Sequence, residues 1–418
     1  MAQGYAVASN NPGISESRGS AGQAFAVLWL VYFFTNIYIF FGGIFGINLF
    51  YPVVGVYLVY FAIARPLQVA QVVVQPVTWV VALTVLIPFI MFFTSGGGNP
   101  FAWNSVVART SFFAAFAGTS VLLLDPNGPR ILRRAARIAL AIAVALNMAD
   151  LFLENPFNRS EGTGRVAGLY SDANGSAAAI GTLLILSVDF SKQNARDLLV
   201  VGISCLAIIA TQSRSGMLFG ALVFMAYLVV PRGAGTFSGA GRFGLGLTAM
   251  LGIGVALFLV FQAADIGWDQ AWRIRYLLSL DLTDASTTGR LDTASYAAGK
   301  FLEDFWTGRG LGASRFYGVF PHNAFLELGL EYGIGGVLIY VGLILYVVVK
   351  AFRFGFMRNI GMVIIAFQIA YHSMFSHTVH TIPVFAVFFA AVSVNATISR
   401  PEESDGEIPR RLAGHGTG

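Results

Sequence analysis

A succession of long, almost uncharged apolar runs is the strongest constraint on how this chain can fold. They fall at 24–44, 47–64, 77–94, 105–124, 136–153, 174–190, 197–212, 215–230, 243–263, 323–349, 359–375 and 383–398. A helix needs about 20 apolar residues to cross the hydrocarbon core, and it satisfies its own backbone polar groups there. The runs are continuous rather than alternating, which argues against a transmembrane β-barrel. Composition agrees: of 418 residues 56% are hydrophobic and only 11% charged, where a soluble domain carries about 25%. Too little polar surface exists to cover a water-soluble core of this length. The expected fold is all-α, a polytopic transmembrane protein of about twelve spans.

The expected organisation is a disordered cytoplasmic tail at 1–22, spans within 23–263, a long periplasmic loop at 264–321 with short helices, further spans within 322–399, and a cytoplasmic tail at 400–418. The Gly/Ser/Asn-rich start lacks the basic and apolar blocks of a cleavable signal, so the first span is expected to be an uncleaved anchor. Basic residues give direction, because cytoplasmic segments are enriched in Lys and Arg. Arg65, Arg130, Arg133, Arg134, Arg137, Lys192, Arg196, Lys350 and Arg353 all fall on one side if both termini are cytoplasmic. Arg109, Arg159, Arg165 and Arg214 are then left for the short outer segments. The basic residues form no stripe, so the pI of 9.3 does not point to nucleic acid. Cys205 is the single cysteine, which excludes a disulfide framework.

The outer segments hold the residues that could carry chemistry. Arg214 lies in Thr211-Gln212-Ser213-Arg214-Ser215-Gly216, between two apolar runs. A charge at membrane depth is costly and marks a candidate site, although an Arg can also simply snorkel to the headgroups. His322, in Pro321-His322-Asn323, caps the outer end of a span. A neutral imidazole is a good general base, but a surface histidine at a helix start is the plainer reading. Arg290 and Asp292 lie in Thr288-Gly289-Arg290-Leu291-Asp292, where Asp292 can pair with Arg290 or Lys300 without any ligand. Arg165 precedes a span in Gly164-Arg165-Val166 and reads equally as an interfacial Arg.

Other features carry less. Gly308-Arg309-Gly310-Leu311-Gly312 fails the dinucleotide-binding spacing. His372, His377 and His380 match no standard zinc spacing, so no metal is expected. No Walker A motif and no outer Asp-x-Asp pair occur. Two or three Arg and one His remain on one face. Arg groups clamp phosphate oxygens, and can stabilise a diphosphate leaving group where other enzymes use a metal.

With these residues the sequence resembles the O-antigen ligase and O-antigen polymerase superfamily of bacterial inner-membrane glycosyltransferases. The matching elements are Arg165 with Asn174, Ser213-Arg214-Ser215-Gly216 with Leu218, Gly289-Arg290-Leu291, the Gly308–Gly312 segment, and His322 followed by Gly333, Gly335 and Gly336. The resemblance implies a donor glycan on undecaprenyl diphosphate and an inverting, metal-independent, cofactor-free transfer. The acceptor would be a sugar hydroxyl of lipid A–core, for a ligase, or of another lipid-linked glycan, for a polymerase. It implies Arg214 and Arg290 as diphosphate binders, with Arg165 as a third, and His322 as the catalytic base or acceptor-orienting group. The partners are that donor, that acceptor and membrane lipids, with no nucleic acid. A lipid-linked oligosaccharide flippase, a secondary transporter or a purely structural membrane component are the rivals from other classes. A transporter would place charges at the bilayer midplane and often shows internal repeats, whereas here the charges gather at one end.

Overall fold

The structure is a computed structural model that describes residues 12–39, 41, 50–94, 101–153, 155, 165–170, 172–190, 195–229, 285–318, 320–353, 360–376 and 382–394. Among the described residues every regular element is a helix. In chain order they are α1 (Pro12–Phe34), α2 (Phe50–Ala64), α3 (Pro66–Val73), α4 (Pro76–Thr94), α5 (Ala102–Leu123), α6 (Gly128–Ala149), α7 (Ala173–Ser187), α8 (Ala195–Ala210), α9 (Arg214–Val229), α10 (Ala285–Glu303), α11 (Ala313–Phe316), α12 (Ala324–Arg353), α13 (Ile360–Phe375) and α14 (Pro383–Ser393).

Among the described residues three stretches are long and apolar enough to cross a bilayer: Pro76–Thr94, Ala102–Leu123 and Ala324–Lys350. Helices α2 and α3 make a fourth if counted as one span bent by 104°. Shorter apolar helices lie at Gly22–Phe34, Ala173–Ser187, Arg214–Leu228 and Val363–Phe375. The chain is therefore a helical, membrane-embedded protein. Lipid is its natural surround, because only 22% of the α4 window and 28% of the α12 window are buried inside the molecule. Leu83, Leu86, Phe89 and Ile90 on α4, and Leu338 and Leu345 on α12, face outward. The α5 window, 72% buried, lies inside the bundle.

Several boundaries differ from the sequence reading. Helix α1 already begins at Pro12, so part of the segment read as a disordered tail is helical. Its fixed φ suits proline to a first helical turn. Helix α3 was not anticipated. Arg65 leaves the helical region (φ −140°) and Pro66 restarts a helix at its first position. Arg65 is held there by Asp125. The polar stretch within 264–321 contains a 19-residue helix, α10, rather than short helices alone. The span expected at 243–263 lies outside the described residues.

At the centre of the bundle is α7, whose residues from Ala173 to Ser187 are buried except the half-buried Asn174. Ala177, Ala178, Ala179 and Gly181 let its neighbours approach closely, as small residues do between membrane helices. α6, α8 and α9 all pack on it, and α14 lies in the groove between α5 and the core. Gln368 on α13 donates to the Ala178 carbonyl at 2.9 Å, which ties the C-terminal helices to this centre. That arrangement brings the start of α7, the start of α9 and the start of α12 to one end of the bundle.

Candidate functional site

The first element is the turn between α8 and α9. Helix α8 ends at Ala210, and Gln212 adopts a left-handed conformation (φ +51°). Ser213 then caps α9, its Oγ accepting from the Gly216 amide at 3.2 Å. Arg214 is the first residue of α9 and is half-buried. Arg165 reaches this turn: its Nε donates to the Thr211 carbonyl at 3.1 Å, and its Nη2 to Asn174 Oδ1 at 2.9 Å. The same Asn174 oxygen accepts from Ser213 Oγ at 2.8 Å. Arg165, Asn174 and the Ser213–Arg214 turn thus form one network. Asp172 sits beside it as the cap of α7, accepting from the amides of Asn174 (3.0 Å) and Gly175 (2.9 Å).

The second element is the start of α12. Asn323 caps that helix, its Oδ1 accepting from the amides of Phe325 (2.9 Å) and Leu326 (3.0 Å). His322, just before the cap, holds φ at +46°. A non-glycine residue there is strained by about 1–3 kcal/mol, and such strain clusters at functional sites. The His322 imidazole is half-buried. Its pKa lies below the ordinary histidine value, first because burial disfavours the cation. The Arg290 guanidinium lowers it further, Asp172 opposes, and Arg165 adds to the lowering. Arg165, Asp172 and Arg290 therefore act on His322 across space, from three different elements. The result is a neutral imidazole among cationic groups at physiological pH.

A second polar cluster lies farther along α12. This helix breaks at Gly333 (φ +65°, ψ −162°). The break leaves backbone amides and carbonyls without their helical partners, and the segment 305–312 supplies both acceptor and donors. Arg309 N donates to Leu330 O at 2.7 Å, Gly310 N to Glu331 O at 3.2 Å, and Ile334 N to Phe305 O at 2.8 Å. Only glycine fits at the crossing. A Cβ on Gly333 would lie 2.4 Å from the Trp306 carbonyl oxygen, and one on Gly308 would lie 2.5 Å from the Gly333 amide. The Gly308–Gly312 segment, discounted above as a nucleotide loop, is a clasp on a broken helix. Glu331 completes it. One carboxylate oxygen accepts from Gly312 N at 2.8 Å, and the other pairs with Arg109 Nη2 at 3.1 Å. Both side chains are buried, and Arg109 stacks over the Tyr332 ring at 4.7 Å.

Sequence reasoning gave Arg109 no role beyond its sidedness. It lies inside α5 and is buried, because Glu331 on another helix compensates its charge. The available signal was an Arg within one apolar run and two Glu at a one-turn spacing within another. A cavity of about 150 Å³ lies against Arg109, between α4, α5, α12 and α14, with Pro88, Tyr332, Gly335 and Gly336 among its walls. It does not include His322 or Arg214. Lys300 pairs with Glu303 at 2.9 Å rather than with Asp292. Among the described residues no group of three or more His, Cys, Asp or Glu could hold a metal. His372 is buried against the Phe219 ring, while His377 and His380 lie outside the described residues. Compared with known proteins, the chain matches no family model and no curated sequence.

Proposed function

We propose that the chain is a bacterial inner-membrane glycosyltransferase of the O-antigen ligase type. It would move a glycan from undecaprenyl diphosphate to a sugar hydroxyl of lipid A–core, with inversion and without metal. One observation carries the reading: His322 lies within electrostatic reach of Arg290 and Arg165, and Arg165 is wired through Asn174 to the turn that presents Arg214. A half-buried neutral base beside several guanidiniums suits a reaction in which a hydroxyl loses a proton and a diphosphate leaves.

In this reading both termini are cytoplasmic, about twelve spans cross the bilayer, and the site faces the periplasm. The donor diphosphate sits against Arg214, Arg290 and Arg165, at the α9 N-terminus, where amide donors and the helix dipole favour an anion. His322 takes the acceptor hydroxyl proton. The acceptor oxygen bonds to the anomeric carbon from the face opposite the leaving group, as the bond to the phosphate oxygen breaks. Undecaprenyl diphosphate leaves with the electron pair, and the imidazolium returns its proton to water.

The test is reconstitution of the purified protein with a lipid-linked glycan and a lipid A–core acceptor, with a chelator present. The expected result is joined product, lost in Arg214→Ala and His322→Ala. Lengthening of the lipid-linked glycan alone would make the protein a repeat-unit polymerase. Movement of the glycan across the vesicle without transfer would make it a flippase. Full activity in both variants, or abolition by the chelator, would overturn the site assignment.

A further inference from the structure

Helices α10 and α12 run in parallel. Phe301 on α10 packs against Gly329 on α12, and farther along both chains Phe305 O accepts from Ile334 N while Trp306 meets Gly333. Traced back at 1.5 Å per residue, Arg290 lies about 16 Å before Phe301 and the start of α12 about 8 Å before Gly329, with His322 two non-helical residues farther back, at up to about 3.4 Å each. The two residues therefore stand within about one helical turn of the same level. Their juxtaposition depends on the register of the two helices. That register is set at the break, where 305–312 crosses α12.

We propose that Glu331 is a positioning residue: by accepting the Gly312 amide it locks α10 in register with α12, and so holds Arg290 level with His322. Arg109 on α5 serves this bond by fixing the second carboxylate oxygen, so the clasp is anchored to a third helix. The backbone bonds at Leu330 and Glu331 hold the near part of the segment, before its turn into α11. Farther on, Glu331 secures the residue preceding α11, and Glu327 accepts from Ser314 Oγ within α11 at 3.3 Å. The inference rests on the reading above for why the Arg290–His322 spacing matters, but the spacing itself can be measured without transfer.

The test separates the acceptor role of Glu331 from its charge. Arg109→Met with Glu331→Gln removes both charges and keeps an oxygen for the Gly312 amide. Arg109→Met with Glu331→Leu removes both charges and that oxygen. Each protein is placed in lipid nanodiscs and His322 is modified with diethyl pyrocarbonate across a pH series, read by mass spectrometry. The expected result is that the glutamine pair keeps the wild-type midpoint, while the leucine pair moves it up toward the ordinary value of about 6.5, as Arg290 leaves the level of His322. Transfer should fall at least about tenfold in the leucine pair, through kcat more than KM, and recover in the glutamine pair. Glu331→Asp keeps the charge but shortens the reach by a methylene, and should move the midpoint in the same direction if the leucine pair does not fold. Equal midpoints in the wild type and in every folded variant lacking the bond would overturn the lock. A split midpoint with no transfer by the wild type would leave the lock standing and sink the glycosyltransferase reading instead.

Discussion

Two polar clusters share α12, and they are built on opposite plans. At the start of the helix, His322 faces Arg290 and Arg165, with Asp172 as the acidic group acting on it. About two turns beyond, Arg109 and Glu331 are paired and buried, and Glu331 accepts from the Gly312 amide of the segment that crosses the helix break. The first cluster leaves positive charge facing a titratable group that water still reaches. The second consumes its charges internally. Charge that is balanced and dry holds structure. Half-exposed charge of mostly one sign is the arrangement on which the proposed diphosphate site rests.

Each cluster should therefore fail in its own way. The largest effect expected is on activity: His322→Ala should lower transfer by about 10²–10⁴-fold, with the purified protein unchanged in size-exclusion profile and melting. Next, Glu331→Leu should cost about 3–5 kcal/mol of stability, because it removes the carboxylate paired with the buried Arg109 charge. Denaturant titration in detergent measures this. A loss under about 1 kcal/mol would erase the distinction between the clusters. Gly333→Ala should cost about 1–3 kcal/mol from its positive φ alone, plus the clash with Trp306, and the same titration reads it. A smaller change is expected in pH dependence. Burial and Arg290 hold the His322 pKa down, so the base stays neutral and transfer continues below the ordinary value. Arg290→Gln removes one of these influences, the pKa rises, and the acid limb should shift upward toward about 6.5, seen in relative rates even though the absolute rate falls. An acid limb that stays in place would show that Arg290 is remote from His322. Smallest of all, Lys300→Ala should change stability by less than about 1 kcal/mol, since its pair with Glu303 is exposed.

The two clusters were also unequally visible in the sequence. Arg165, Asn174, Ser213 and Arg214 could be singled out because each lies at the end of an apolar run, where a polar residue stands out. Their order along the chain even suggested one face. Arg109 and Glu331 could not be paired, because they are far apart in sequence and each lies inside a run read only as apolar. The glycines at 308, 310, 312 and 333 were visible, but not their purpose. A left-handed residue that meets another strand shows its reason only when the strand is there. Most helix ends were readable within a few residues. The end at Ala64 was readable too, but not the bend into α3, because the stretch between the runs at 47–64 and 77–94 reads as a plain connection. Span number was the least legible: hydropathy gives apolar length, and several apolar helices here are shorter than a membrane is thick.

Helix α7 draws a consequence from that shortness. Its 15 residues reach about 22 Å, against about 30 Å of hydrocarbon. It is rich in Ala, Gly and Ser, and lipid touches almost none of it. Released alone from the ribosome, such a segment is a poor candidate for partitioning into a bilayer. It can settle only once α6, α8 and α9 are beside it. The residue that caps it, Asp172, and the Asn174 that joins Arg165 to Ser213, are then placed by an assembly step late in biogenesis, so the chain would acquire its working end only after its framework is in the membrane.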